Sequence, residues 1–153
     1  MDSRTQTGRV VTGAFLAAVL LKVFVMDFMI AEGRSMQPVI KPGKVLLINK
    51  VAYGIRKPFV GGYILRWSVP HAGELVVFTS PDGRSAVKRC VSGPGDALGE
   101  TASLSGFAGY CPDDLVPPGN FVALGENRPE SWDSRNYGFV PVDATIGKVM
   151  GIK

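Results

Sequence analysis

Residues 10–31 of this chain read VVTGAFLAAVLLKVFVMDFMIA. A segment this apolar is either buried in a core or covered by lipid. No charge falls within residues 10–21, while Lys22 and Asp27 interrupt the remainder. A membrane-crossing helix takes roughly 20 mostly apolar residues. Residues 10–30 reach that length if Lys22 snorkels and Asp27 sits among the headgroups. The sequence therefore predicts one anchor over residues 10–30. Residues 1–9 become a cytoplasmic tail and the rest lies outside, because Arg4 and Arg9 precede the run. A cleaved signal peptide has the same basic start and apolar core, but Phe28-Met29-Ile30 is bulky where cleavage needs small side chains. A buried helix of a soluble protein is the remaining reading.

After Pro38 the pattern changes to short β runs. Residues 44–51 (KVLLINKV) form an apolar run bounded by Pro42-Gly43 and Gly54. Residues 74–78 end before the turn signal Pro81-Asp82-Gly83, and residues 85–91 return as the second strand of a hairpin. Residues 120–124 and 145–150 are two more strands. Gly 19 and Pro 11 fit many turns better than a helical bundle. The predicted fold is mainly β, a compact antiparallel sheet or barrel over residues 31–153. Residues 55–67 (IRKPFVGGYILRW) lack clean periodicity. They read either as a loop packed on the core or as a lip at a bilayer interface, since Tyr63 and Trp67 with Arg56, Lys57 and Arg66 favour that zone.

Composition narrows the chemistry. One histidine, His71, and two cysteines, Cys90 and Cys111, are too few for a structural zinc site. His71 sits in a turn-like stretch and reads as solvent-exposed rather than as a triad base. The cysteines either form one disulfide or remain free thiols. The net charge of +4 is spread out, which fits a solvated basic surface better than a nucleic-acid or anionic-membrane site, and no nucleic-acid partner is expected.

Two residues offer covalent catalysis. Ser35 lies between Gly33 and Pro38, on a loop that can hold a hydroxyl out of the core with its own N–H beside it. Lys88 shares one face of a strand with Ala86 and Cys90, so it can be desolvated. Burial can lower a lysine pKa by ~3–5 units, and a neutral amine is a competent base for a serine hydroxyl. A third segment, Ser131-Trp132-Asp133-Ser134-Arg135, supplies a hydroxyl to fix the amine without adding charge, and an Asp133–Arg135 pair to hold it. Each of these also has an ordinary reading: a surface serine, a snorkelling lysine, a polar turn.

The order of the segments resembles the type I signal peptidase family, membrane-bound serine endopeptidases with a Ser–Lys dyad. Ser35-Met36-x-Pro38, Val87-Lys88-Arg89 with Gly93-Pro94-Gly95-Asp96, and Gly125-Glu126-Asn127-Arg128 through Ser131 and Asp133-Ser134-Arg135 carry it, from about residue 22 onward. The resemblance implies Ser35 as nucleophile, Lys88 as base, Ser131 as its orienting hydroxyl, and Asp133 and Arg135 as support. It implies Gly33, Ser35, Met36, Ala86 and Val87 at the oxyanion and substrate positions, with no cofactor. The expected partners are preproteins with small residues one and three before the cut, and a lipid bilayer. A monomer on the outer side of the bacterial inner membrane is expected with them. A dedicated conjugative-transfer or pilin-processing peptidase and an inactive membrane-anchored interaction module are the alternatives. Two departures stand out. Gly33 replaces a serine whose hydroxyl assists the oxyanion in many members. Residues 97–116 leave room for little more than a loop, closed by a Cys90–Cys111 bridge if one forms, where larger members carry a second β domain.

Overall fold

The computed structural model describes residues 3–57 and 61–152. A helix, α1 (Ser3–Phe24), leads into strands β1 (Met26–Ile30), β2 (Val45–Asn49), β3 (Gly54–Arg56), β4 (Tyr63–Arg66), β5 (Leu75–Thr79) and β6 (Ser85–Ser92). Then come β7 (Asn120–Leu124), the short helix α2 (Ser134–Tyr137), β8 (Val140–Pro141) and β9 (Thr145–Val149). Seven strands make one antiparallel sheet in the order β1-β2-β9-β5-β6-β7-β8, and β3 and β4 make a separate hairpin. The mainly β expectation holds.

Residues 10–30 do not form one continuous helix. The helix begins at Ser3, inside the expected tail, and stops at Phe24. The last residues of the expected anchor form β1, paired with β2 from Met26↔Asn49 to Ile30↔Val45. The ladder satisfies the backbone groups that face β2, and β1 is the edge strand of the sheet. The helix spends its first turns on the polar residues Ser3, Thr5, Gln6 and Arg9. Among the described residues no helix is long and apolar enough to cross a membrane. Its apolar side chains are nonetheless uncovered: Val10, Phe15, Leu16 and Leu20 are all exposed.

The five expected strands appear as β2, β5, β6, β7 and β9. The segment read as a packed loop contains the β3–β4 hairpin instead, with Ile55↔Leu65 and Arg56↔Tyr63 in register. Residues 58–60 of that segment lie outside the described residues, as do residues 1 and 2 of the expected tail.

Three apolar clusters flank the sheet. Phe78, Cys90, Phe121 and Val140 build one, with Phe78 edge-on to Phe121. Met36, Ile40, Leu46, Ile48 and Val77 build the second, under the Ser35 loop. The third, with Leu98, Phe107, Val116 and Leu124, lies where a larger insertion was expected to be reduced. There the chain makes single turns at Gly99–Ser103 and Ser105–Phe107, closed by a bridge between Ala97 and Leu115. This small extension is held by apolar packing and not by sulfur: Cys90 is buried in the core, Cys111 is exposed, and both are free thiols. Burial pushes the Cys90 thiol pKa up to about 12, so it packs as a small hydrophobe. His71 is exposed, as its turn-like setting predicts.

Candidate active site

Strand β6 carries the central residue. Its alternation sends Ala86 and Cys90 to one cluster and Val87 to the other, and Lys88 follows the Ala86 and Cys90 side. Lys88 is only 4% exposed. Its ammonium would lose most of its hydration there, so burial drives its pKa below the ordinary lysine value, with Asp133 opposing the shift and Arg135 adding to it. The Lys88 Nζ donates to Ser131 Oγ at 3.0 Å. That contact positions the amine without a formal charge beside it.

Ser131 is itself held from behind. Its Oγ donates to Asp133 Oδ2 at 2.6 Å. Asp133 is fully buried and caps α2, accepting from the Arg135 N–H at 3.1 Å while its own N–H donates to Asn136 Oδ1. Arg135 reaches both carboxylate oxygens, Nε to Oδ1 and Nη2 to Oδ2, each at 2.9 Å. The Gly125 N–H donates to Asp133 Oδ2 as well. Burial raises the Asp133 pKa, but the hydrogen bonds from Arg135, Ser131 and Gly125 outweigh it and hold the carboxyl ionised. A two-point Arg–carboxylate fork fixes an orientation as well as a charge.

The Ser35 loop meets this framework at one segment. The Asn127 N–H donates to the Ser35 carbonyl at 2.9 Å, and Asn127 Nδ2 donates to the Arg34 carbonyl at 3.2 Å. Gly125 sits so close that a Cβ there would strike Ser131 Oγ and lie 2.7 Å from the Ser35 carbonyl oxygen. Only glycine lets the two halves of the site approach this closely.

Ser35 and Lys88 line one open cleft of about 540 Å³, together with Gly33, Met36, Ala86 and Val87. Asp133 and Arg135 stand behind it, hydrogen-bonded to Ser131. The cleft thus holds a hydroxyl on a loop, a buried amine and small walls at Ala31 and Ala86. Such a set can perform acyl transfer at a peptide carbonyl.

The sequence pattern described as "Signal peptidase, peptidase S26" matches residues 4–105 and 98–152, nearly the whole chain. The chain belongs to the S26 signal peptidase family. A signal peptidase I from Bacillus caldolyticus is 29% identical over 164 residues, covering 89% of this chain and 84% of that protein. A signal peptidase I from Pseudomonas aeruginosa is 36% identical over 193 residues, covering 90% of this chain and 68% of that protein. The S26 chain described here is a serine endopeptidase of the signal peptidase I type.

Several features of this S26 site escape the sequence. The Asn127 contacts with the Ser35 loop span over ninety residues, and nothing local in Gly125-Glu126-Asn127 announces them. Trp132, half-exposed and edge-on to Tyr137, also lines the cleft, as do Ser80 and Arg84 from the β5–β6 turn. Gly33 shows nothing within 4 Å of a would-be Cβ, so the space for a side chain there is open.

Proposed function

We propose that the chain removes N-terminal signal peptides from exported preproteins, with Ser35 as nucleophile and Lys88 as general base. The observation that carries this reading is the Lys88 amine: 4% exposed, held by a serine hydroxyl, on the same cleft as Ser35. In the first half-reaction Ser35 Oγ attacks the scissile carbonyl carbon and its proton passes to the neutral Lys88 Nζ. The negative charge moves to the carbonyl oxygen, which the Ser35 N–H would receive. Collapse breaks the C–N bond as Lys88 returns the proton to the leaving amine. The signal peptide is left as an ester on Ser35. Lys88 then takes a proton from water, hydroxide adds to the ester, and Ser35 leaves with the proton from Lys88.

The small cleft walls support selection of Ala-like side chains one and three positions before the cut. Met36 is buried beneath the loop and gives the cleft a closed apolar floor. The uncovered apolar side chains of α1 support association with a membrane, with the catalytic sheet on its outer face. The readings as a dedicated pilin processor or as an inactive module have no feature of this site in their favour.

Purified protein in detergent, given a preprotein with a small-x-small site, tests this directly. Ser35→Ala and Lys88→Ala should each lower cleavage by at least about 10³-fold with the fold intact by circular dichroism. Wild-type cleavage by Ser35→Ala would refute the nucleophile. A panel of preproteins and pilin precursors, with cut sites mapped by mass, separates general from dedicated processing.

A further inference from the structure

The β3–β4 hairpin takes no part in the cleft, and most of its apolar surface is uncovered. Ile64 is 65% exposed and Leu65 59%, although they are adjacent in β4 and so face opposite ways. Trp67, just past the strand, is 54% exposed. Exposed large side chains on both faces of one hairpin are informative, because a two-stranded ribbon has no core of its own in which to hide them. Its base is firmly held: Tyr53 is buried, its carbonyl accepts from the N–H groups of Trp67 and Ser68, and its hydroxyl donates to Glu74 at 2.8 Å. The exposure therefore belongs to a fixed element.

Charge singles out one occupant. Arg56 and Lys57 flank the apolar residues on β3, and Arg66 flanks them on β4. Among the described residues neither Arg56 nor Lys57 pairs with a carboxylate, and Arg56 Nε is buried with no hydrogen-bond partner. Arg66 pairs with Asp143 at 3.3 Å, but apolar side chains, an indole and the carboxylate-free Arg56 and Lys57 on one ribbon match the boundary between acyl chains and anionic headgroups. Position agrees. The Lys50 N–H donates to the Val25 carbonyl at the C-terminal end of α1, and β3 begins at Gly54. The hairpin base and the exit of α1 thus share one end of the sheet.

We propose that the β3–β4 hairpin is a second lipid-binding element, resting in the headgroup layer of an anionic bilayer beside α1. This rests on the membrane association proposed for α1. The protein has two tryptophans, Trp67 and Trp132. In full-length Trp132→Phe protein, Trp67 alone reports. On vesicles of phosphatidylglycerol and phosphatidylcholine its emission should shift to the blue and be quenched by bromines placed near the headgroup end of the acyl chains. Arg56→Gln with Lys57→Gln should cut that quenching by about half or more, since each cation near an anionic surface favours it about fivefold. Ile64→Ser with Leu65→Ser should do likewise; Ile64, Leu65 and Lys57 are exposed while Arg56 is half-buried, so circular dichroism checks that each pair leaves the fold intact. Unquenched Trp67 emission, or quenching equal on pure phosphatidylcholine, overturns the proposal. Preprotein cleavage is measured on the unsubstituted protein with the same vesicles, because Trp132 lines the cleft. Quenching without cleavage refutes the peptidase reading alone, and cleavage without quenching refutes the lipid-binding hairpin alone.

Discussion

Strand β5 has a lysine on either side of it. Lys88 on β6 and Lys148 on β9 both pair in register with Val76. The two positions are equivalent in the sheet and opposite in chemistry. Lys148 is 41% exposed and its Nζ meets Glu74 Oε1 at 2.6 Å. Lys88 is buried and, among the described residues, its amine meets only a serine hydroxyl. The carboxylate that belongs to its surroundings, Asp133, lies one residue further back and is already satisfied by Arg135. What separates the two strand lysines is how deeply each is buried and which partner reaches it, and not the strand. Glu74 shows the complement: burial raises its pKa, but hydrogen bonds from Lys148, Tyr53 and the His71 N–H outweigh that and lower it, so it stays a charged structural acceptor.

Giving Lys88 the partner that Lys148 has should abolish the contrast. Ser131→Asp places a carboxylate against the amine, and an opposite charge at that distance raises a lysine pKa by about 1–3 units. Cleavage at neutral pH should fall by about 10–10³-fold and recover as pH rises, because the deprotonated fraction carries the rate. An unchanged pH profile would show that the Ser131 hydroxyl has no part in keeping the amine uncharged.

The oxyanion side offers a gain. Gly33 lines the cleft with nothing near its would-be Cβ, so Gly33→Ser should fit. If its hydroxyl reaches the oxyanion, kcat should rise by about 10-fold or more, within the 10²–10³ that such a donor can supply. The check is kcat with KM held nearly constant.

Stability separates the lysines next. The lowered Lys88 pKa means that the folded state disfavours its charged form. The cost is full below the lowered value and vanishes as pH rises past the unfolded value near 10.5. Lys88→Met should therefore be inactive yet more stable at neutral pH, by about 1 kcal/mol or ~2–4 °C in Tm, with the gain shrinking toward pH 10. Glu74→Gln, at the other lysine, should leave kcat/KM unchanged and cost less than about 1 kcal/mol, since Lys148 is well exposed. Its loss should be seen above the ordinary glutamate range and fade as pH falls through the lowered Glu74 value.

Much of this was legible in the chain. Ser35, Lys88 and the Ser131-Trp132-Asp133-Ser134-Arg135 run carry chemistry whose residue types and order are local facts, and the short runs bounded by Gly and Pro marked five of the strands. The contrast between the lysines was not legible, because Ala86-Val87-Lys88 and Ile146-Gly147-Lys148 look alike until Glu74 and Ser131 arrive from elsewhere. The extent of the N-terminal helix was not legible for a similar reason. Hydropathy treats residues 10–31 as one segment, but the β2 strand competes for Met26–Ile30 and wins them with a five-residue ladder. The hairpin was hidden because Ile64 and Leu65 are both exposed, which removes the alternation that normally marks a strand.

The proposed mechanism needs a neutral Lys88 amine, and the titration of that amine can be observed directly. With lysine labelled at Cε, the Lys88 signal is assigned by its disappearance in Lys88→Met and followed by NMR against pH. A general-base Lys88 should titrate clearly below the ordinary lysine value of 10.5, and the acid limb of kcat/KM should follow it. A Lys88 signal that titrates near 10.5, with cleavage already at its plateau near neutrality, would contradict that mechanism.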